Sequence, residues 1–500
     1  MTQAKTCLVT GATGYIGGRL VPELIAAGYR VRVLSRHPER LRDVDWYDRV
    51  EVVGGDASDP TALARALDGV DVAYYLLHSL QLGEGFEDVE RDMALLFARI
   101  AKESDVGRLV YLGGLTPSGP AAELSPHLRS RAEVGEILRQ SGVPTAELRA
   151  AVIIGSGSAS FEMLRYLTER LPAMVTPRWV RNRIQPIAIR DVLRYLVGCA
   201  ELPSEVNRSF DIGGRDVLTY EQMMQRYAAV AGLRRRIIVP TPVLSPWLSG
   251  HWVGVVTPVP ASIAKPLVKS LRNEVVCSEN DIQRFVQLPP EGLLTFEQAV
   301  QLALVRVRDA SVRTRWSSAS VPGAPAEPLP TDPDWAGGSL YLDDRSTTVD
   351  APPAALWRVI EGIGGENGWY SFPLAWEVRG LADRVVGGVG LRRGRRDATQ
   401  VLVGETVDFW RVEERIPERL LRLRAEMRMP GLAWLELRVE VGDDGRTLYH
   451  QRALYHPHGL PGHGYWWSVA PFHGIVFGSM LHNIAKAAER LAIELQDAPA

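Results

Sequence analysis

The chain has 500 residues, 23% of them charged, and a formal net charge of −2. That length allows two to four domains, and a balance with no basic excess argues against nucleic acid as a partner. Cys7, Cys199 and Cys277 are too few and too far apart for a disulfide framework or a metal cluster.

The first apolar run, Cys7-Leu8-Val9, begins too early for a secretory leader, which points to a cytoplasmic chain. It runs as a strand into Thr10-Gly11-Ala12-Thr13-Gly14-Tyr15-Ile16-Gly17. Here Gly11 allows a tight turn, Gly14 lets the backbone approach a pyrophosphate, and Gly17 lets the next helix pack on the strand. Ile16, Leu20, Leu24 and Ile25 share one face of that helix, and Gly28 stops it. The phosphates of a dinucleotide would sit on N–H groups at the positive end of its dipole.

The G-x-x-G-x-x-G spacing resembles the short-chain dehydrogenase/reductase superfamily in its extended or atypical branches. Residues 29–34 form a second strand ending in Ser35-Arg36, where an NAD-specific site carries an acidic residue. A guanidinium pairs with a ribose 2′-phosphate and a serine hydroxyl can donate to it, so NADP(H) is expected over NAD(H). The alternative for Arg36 is a solvated strand end. A third strand over 50–53 precedes Gly55-Asp56-Ala57. The resemblance implies that Asp56 binds the adenine amino group, in competition with a role as a turn residue or helix N-cap beside Ser58, Asp59 and Pro60. A fourth strand over 70–77 ends in Leu76-Leu77-His78, which in the superfamily passes beneath the nicotinamide ribose. A helix over 86–103 shows Val89, Met93, Leu96, Phe97 and Ile100 on one side, and a fifth strand follows at 108–112. Alternating units of this kind predict a doubly wound parallel sheet. On the same resemblance the cofactor contacts comprise Gly11, Thr13, Gly14, Tyr15, Ile16, Gly17, Ser35, Arg36, Asp56, Ala57, Leu76, Leu77, His78 and Gly113.

The superfamily carries a catalytic Ser after the fifth strand and a Tyr-x-x-x-Lys pair on the next helix, where Tyr exchanges the proton and Lys lowers its pKa. This chain departs from the pattern. Its strand runs into Gly113-Gly114, with no serine before Ser118, and the helix reads His127-Leu128-Arg129-Ser130-Arg131. Alignment puts His127 where Tyr is expected and Arg131 where Lys is expected. Imidazole can act as acid or base near neutrality, and arginine can keep the charge of a lysine without replacing it fully. The competing view of His127 is a helix-start residue after Pro126. The loss of Ser, Tyr and Lys together favours cofactor binding without the standard chemistry.

Residues 148–149 and 152–155 continue as a sixth strand with its glycine-rich exit, and Phe210-Asp211-Ile212-Gly213-Gly214 leads to a helix after Leu218-Thr219. This matches extended and NmrA-like members, whose C-terminal part forms a small substrate lobe. Arg183 is read either as an anion contact or as half of an ion pair. Residues 237–271 are strongly apolar but broken by Pro240, Pro242, Pro246, Pro258 and Pro260, which excludes a membrane span. A buried or lid-like wall for a hydrophobic substrate is expected, with interfacial membrane contact as the alternative. The expected domains are a nucleotide-binding domain over 1–315 (apolar lobe 215–275), a Pro-rich linker over 316–335, and a second domain over 336–500.

In the second domain a short helix over 351–361 precedes expected strands at 399–403, 408–413, 420–427, 433–441 and 447–455, and a closing helix spans 475–495. Helix, antiparallel sheet and long helix make an α+β helix-grip arrangement similar to START-like (SRPBCC) ligand-binding domains. With Gly368-Trp369-Tyr370, His456-Pro457, Tyr465-Trp466-Trp467 and Pro471-Phe472-His473, the whole chain resembles NAD(P)-binding proteins of the YbjT type. Trp357, Trp369, Trp376, Trp410, Trp434, Trp466 and Trp467 are read either as pocket lining for a small apolar or aromatic ligand or as core. His456, His458 and His463 are expected in a hydrogen-bonded loop over the pocket mouth, without metal. Two functions follow: an oxidoreductase acting on a small apolar or aromatic carbonyl or quinone, with His127 or His78 moving the proton, or a catalytically silent NADP(H)-sensing protein.

Overall fold

Apolar runs with strand periodicity pair into one seven-stranded parallel sheet in the N-terminal part of the computed structural model. The strands are β1 (Thr6–Thr10), β2 (Arg30–Ser35), β3 (Glu51–Gly54), β4 (Val72–Tyr75), β5 (Arg108–Gly114), β6 (Thr145–Ala150) and β7 (Arg208–Ile212), in the order β7-β6-β5-β4-β1-β2-β3. The structure describes residues 4–42, 44–78, 85–117, 124–241, 256–312, 338–371, 400–442 and 444–497. The chain divides into two units, Met1–Gly338 and Ser339–Ala500. The expected linker 316–335 and Ser118, Trp247, Trp252 and Trp376 lie outside the described residues.

Between the strands run α1 (Tyr15–Ala26), α2 (Pro60–Leu67), α3 (Phe86–Glu103), α4 (Pro126–Arg139), α5 (Ala159–Arg170) and α6 (Ile189–Gly198). Successive strand residues face opposite sides of the sheet. Cys7 and Val9 belong to one buried cluster with Leu20 of α1 and Val192 of α6, whereas Leu8 belongs to another with Leu63 of α2 and Phe97 of α3. Both faces are covered, as a parallel sheet requires. The order changes direction at β1, and a ligand in such a sheet lies outside the carboxyl ends of the strands at that point.

The helix α3 buries Phe97 and Ile100 of its expected face and packs Met93 and Leu96 against the same core, so the face holds except at its start. Phe86, Glu90, Ala94, Phe97 and Ala101 are buried, whereas Val89 is exposed. A buried carboxylate, Glu90, takes the inward position in the turn where Val89 was expected. A second difference follows β6. Ile153–Ile154 leaves the main sheet and pairs with Ile187–Ala188, so the glycine-rich exit opens a separate lobe. That lobe carries α5, α7 (Tyr220–Val230), α8 (Ala261–Ser270) and α9 (Phe296–Val312), with Thr219 and Gln222 capping α7 reciprocally.

The C-terminal unit is an antiparallel sheet of β8 (Tyr341–Val349), β9 (Thr406–Val407), β10 (Trp410–Ile416), β11 (Leu420–Ala425), β12 (Gly431–Val441) and β13 (Thr447–Pro457), in the order β8-β13-β12-β11-β10-β9. Its inner face, including Leu421, Leu435 and Tyr449, packs on α10 (Pro353–Glu361) and α11 (Gly459–Asp497). The sequence reading missed β8, whose Asp343, Asp344 and Arg345 hide its nine-residue register with β13. It also placed a strand at 399–403, where residues 400–403 form none.

The expected closing helix was too short by sixteen residues at its start, because Pro461, Gly462 and Gly464 read as loop. Pro461 falls in the first turn, where a missing N–H costs nothing. A Cβ on Gly462 would stand 2.4 Å from the Pro430 carbonyl oxygen, so close approach to the sheet requires glycine there. His463 is therefore helical and pairs through Nδ1 with the Tyr341 hydroxyl at 2.8 Å, and His456 lies on β13, so these two do not form a loop.

Candidate active site at the nucleotide cradle

The turn after β1 is shaped by what glycine lacks. Gly11 has φ +73°, and a Cβ there would meet the Leu76 carbonyl oxygen at 2.7 Å. A Cβ on Gly17 would lie 2.3 Å from the Gly11 carbonyl oxygen. Gly14 donates its N–H to that same oxygen at 2.9 Å and starts α1 in extended backbone with no side-chain cap. The first-turn amides thus lie at the positive end of the helix dipole, where Gly11, Gly14 and Gly17 themselves carry no side chain. Thr10 Oγ donates to the Tyr74 carbonyl and accepts from the Leu76 N–H, tying this turn to the end of β4. Such a cradle fits a dinucleotide pyrophosphate. Tyr15 and Ile16 stand in the first turn of α1 with their side chains packed on the core, and the Tyr15 hydroxyl sits where a Cβ on Gly155 would be.

At the ends of β2 and β3 the structure brings Arg36 and Asp56 together, with Arg36 Nε 4.0 Å from Asp56 Oδ2 and both side chains exposed. Asp56 Oδ1 accepts from the Ser58 N–H and hydroxyl, both at 2.8 Å, and these bonds hold its carboxyl below the usual range. One oxygen therefore does the work of a turn residue. Ser35 is buried and accepts from the His37 N–H at 3.2 Å, and Ala57 is buried beside them.

The ends of β4 and β5 and the start of α4 gather the remaining candidates. His78 Nδ1 meets Glu90 Oε1 at 2.5 Å, and the other Glu90 oxygen accepts from the Ser130 hydroxyl. The His127 ring lies 5.2 Å from that of His78, and among the described residues its buried Nδ1 has no hydrogen-bond partner. Burial, then His78 and Arg131, push the His127 pKa down to about 3. Only about one molecule in ten thousand would carry that proton at neutral pH, so imidazole here is a poor acid. Arg131 donates to the Leu112 carbonyl and lies over the Tyr111 ring at 4.9 Å, which engages its guanidinium with β5. Gly113 sits tightly, since a Cβ would come within 3.1 Å of Glu147 Oε1. Leu77 is half-buried against the sheet core. Sequence reasoning missed Glu90 and gave Ser130 no role. The available signal was an acidic residue four after Phe86 and four before Ala94 on one helix face.

Outside this site Arg183 pairs with Glu274 at 3.0 Å, which is the ion-pair alternative. Trp357, Trp369, Trp410, Trp434 and Trp466 are buried, Trp466 stacks on Tyr341 at 4.8 Å, and Trp467 is exposed. Among the described residues no helix is long and apolar enough to cross a membrane.

Residues 11–157 match a family described as NAD(P)H-binding, and residues 335–480 match a protein family of unknown function, DUF2867. A ceramide reductase of Caulobacter vibrioides is 30% identical over 241 residues, covering 47% of this chain and 73% of that protein. A (4-alkanoyl-5-oxo-2,5-dihydrofuran-3-yl)methyl phosphate reductase of Streptomyces griseus is 30% identical over 232 residues, covering 45% and 73%. Triphenylmethane reductase of Citrobacter sp., a solved structure, is 19% identical with a TM-score of 0.49, covering 60% of this chain and 99% of that one. With its glycine cradle at the turning point of a parallel sheet, the chain belongs to the NAD(P)-binding Rossmann oxidoreductases of the short-chain dehydrogenase/reductase type.

Proposed function

We propose that the chain is an NADP(H)-dependent reductase of a small apolar or aromatic carbonyl or quinone, with a START-like ligand-binding module as its C-terminal unit. The observation that carries the reading is the cradle, where Gly11 and Gly17 leave no room for a Cβ and the start of α1 is uncapped. When bound, the reduced nicotinamide supplies a hydride. The chain's own residues hold the pyrophosphate on the first turn of α1 and present Arg36 toward a 2′-phosphate. Two relatives named as reductases support the reaction class, and both names imply substrates with an acyl or alkanoyl chain. For the C-terminal unit, the support is a six-stranded antiparallel sheet packed on α10 and the long α11.

A second reading, a catalytically silent NADP(H) sensor, is favoured by one observation: His127 stands where Tyr is expected and is held neutral. Calorimetry with NADPH and NADH, followed by 340 nm assays on quinones, aldehydes and apolar ketones, separates the two. Binding with steady oxidation of NADPH supports the reductase. Binding with no oxidation on any compound supports the sensor, and no binding of either nucleotide defeats both.

A further inference from the structure

Glu90 has no evident structural reason to be where it is. It is 3% exposed on the inward stripe of α3, between Phe86 and Ala94, and burying a carboxylate is costly unless its oxygens are paired. Its oxygens reach to opposite sides, one to His78 Nδ1 and the other to the Ser130 hydroxyl. A carboxylate on Nδ1 fixes the imidazole tautomer and turns Nε2 into the reactive atom. His78 lies three residues past the end of β4, and the Leu76 carbonyl in the same segment closes over Gly11 of the cradle. The imidazole thus lies along the carboxyl edge of the sheet, where the cofactor of such a fold runs, and its side chain keeps a third of its surface open.

We propose that His78 is the catalytic proton-exchanging residue of this site and that Glu90 positions it, in place of the Tyr-x-x-x-Lys pair. The proposal rests on the reductase reading above. In reduction, the carbonyl carbon gains the hydride and the C=O π electrons move to oxygen, which takes the proton from His78 Nε2. The carbonyl becomes an alcohol, reduced nicotinamide becomes oxidised, and His78 is left neutral to regain a proton from water. The groups facing His78 are Glu90 from α3 and His127 and Arg131 from α4, with the Tyr75 and Tyr111 phenols in the sheet held protonated by burial. Burial lowers the His78 pKa against the pull of Glu90, so the acid form fades early as pH rises. Reduction is therefore fastest on the acid side and falls through the His78 titration.

The test uses the full chain with histidine ring carbons labelled, and the His78 signal is assigned by its loss in His78→Gln. Added NADPH is expected to shift that signal and its titration. In Glu90→Gln the titration moves further to acid, and the pH limb of NADPH oxidation moves with it. His78→Gln is expected to lower kcat at least 100-fold with NADPH affinity kept within threefold, in the range of general acid–base effects of about 10² to 10⁴. NADPH binding that leaves the His78 signal unmoved, or a pH limb that ignores Glu90→Gln, overturns the proposal while the cofactor reading stands. Failure of NADPH to bind at all overturns both.

Discussion

A Cβ built on Gly17 would lie 2.3 Å from the carbonyl oxygen of Gly11, so the start of α1 and the turn after β1 occupy one another's side-chain space. Gly17→Ala must therefore displace backbone, not a flexible side chain, and overpacking of this kind costs about 1–3 kcal/mol. The same displacement spoils the surface on which the pyrophosphate would rest, and NADPH affinity should fall at least tenfold. Gly28→Ala is the control. Its φ is +90° but nothing lies within 4 Å of an added Cβ, so it should cost stability through backbone strain alone and leave NADPH binding unchanged. Calorimetry and urea melts on the two variants read both outcomes.

Arg36 and Asp56 form a loose, solvent-exposed pair at 4.0 Å, which contributes little to folding. Arg36→Asp should accordingly leave the urea midpoint nearly unchanged while placing a carboxylate where a 2′-phosphate would sit. The NADPH dissociation constant should rise at least tenfold and that of NADH should stay the same or fall. An unchanged NADPH:NADH ratio would remove the basis for NADP preference.

The tight turn after β1 and the place of Arg36 at a strand end were legible in the sequence because their information is local. Gly11, Gly14 and Gly17 answer a steric demand of a single turn, and Arg36 is read from its place at a strand end. Glu90 was not legible, since a carboxylate in a helix ordinarily faces water and only the tertiary partners His78 and Ser130 show otherwise. The strand β8 was hidden for a related reason: its stability comes from pairing with β13 over nine residues, while its own composition is polar. The long α11 was hidden because Gly462 signals a loop locally and a close helix–sheet contact globally.

In the second lobe Arg165 is fully buried on α5 between Glu162 Oε2 at 3.6 Å and Glu169 Oε1 at 3.4 Å, and Glu169 also accepts from the Tyr227 hydroxyl. Arg165→Met removes the cation that lies between Glu162 and Glu169 and leaves the two carboxylates without it out of water. Breaking a buried pair in this way costs about 3–5 kcal/mol. The loss should be largest near neutral pH and shrink in acid, where the stranded carboxylates can take up protons. A urea midpoint as stable as the parent at pH 7 would show that water reaches this cluster.

In the C-terminal unit Asp408 sits at φ +53° with its Oδ2 accepting from Trp369 Nε1 at 2.8 Å and from the Gly365 N–H at 3.1 Å. Asp408→Ala removes both bonds and adds strain in left-handed backbone, for a loss of about 2–4 kcal/mol. Asn tolerates that backbone and keeps an accepting oxygen, so Asp408→Asn should recover part of the loss. Trp369 fluorescence, altered in the Ala variant and closer to the parent in the Asn variant, would check that the indole is anchored this way.

His127 gives the clearest pH signature. Its pKa in the fold is pushed down to about 3 by burial, His78 and Arg131, against about 6.5 in an unfolded chain. A group depressed on folding is neutral in the native state throughout that interval, while the unfolded chain binds a proton. The contribution is fully present above about pH 6.5 and is lost as pH falls toward 3, at up to about 1.4 kcal/mol per pH unit. Since His78 is lowered in the same direction, the parent should lose stability steeply between pH 7 and pH 5. His127→Gln should retain only the His78 share, so its loss of urea-unfolding free energy over that interval should be smaller by about 1–2 kcal/mol. Comparing the slope rather than the absolute stability removes any packing cost of the substitution. Equal slopes would mean that His127 titrates normally, and the site would then regain an imidazole able to carry a proton near neutrality.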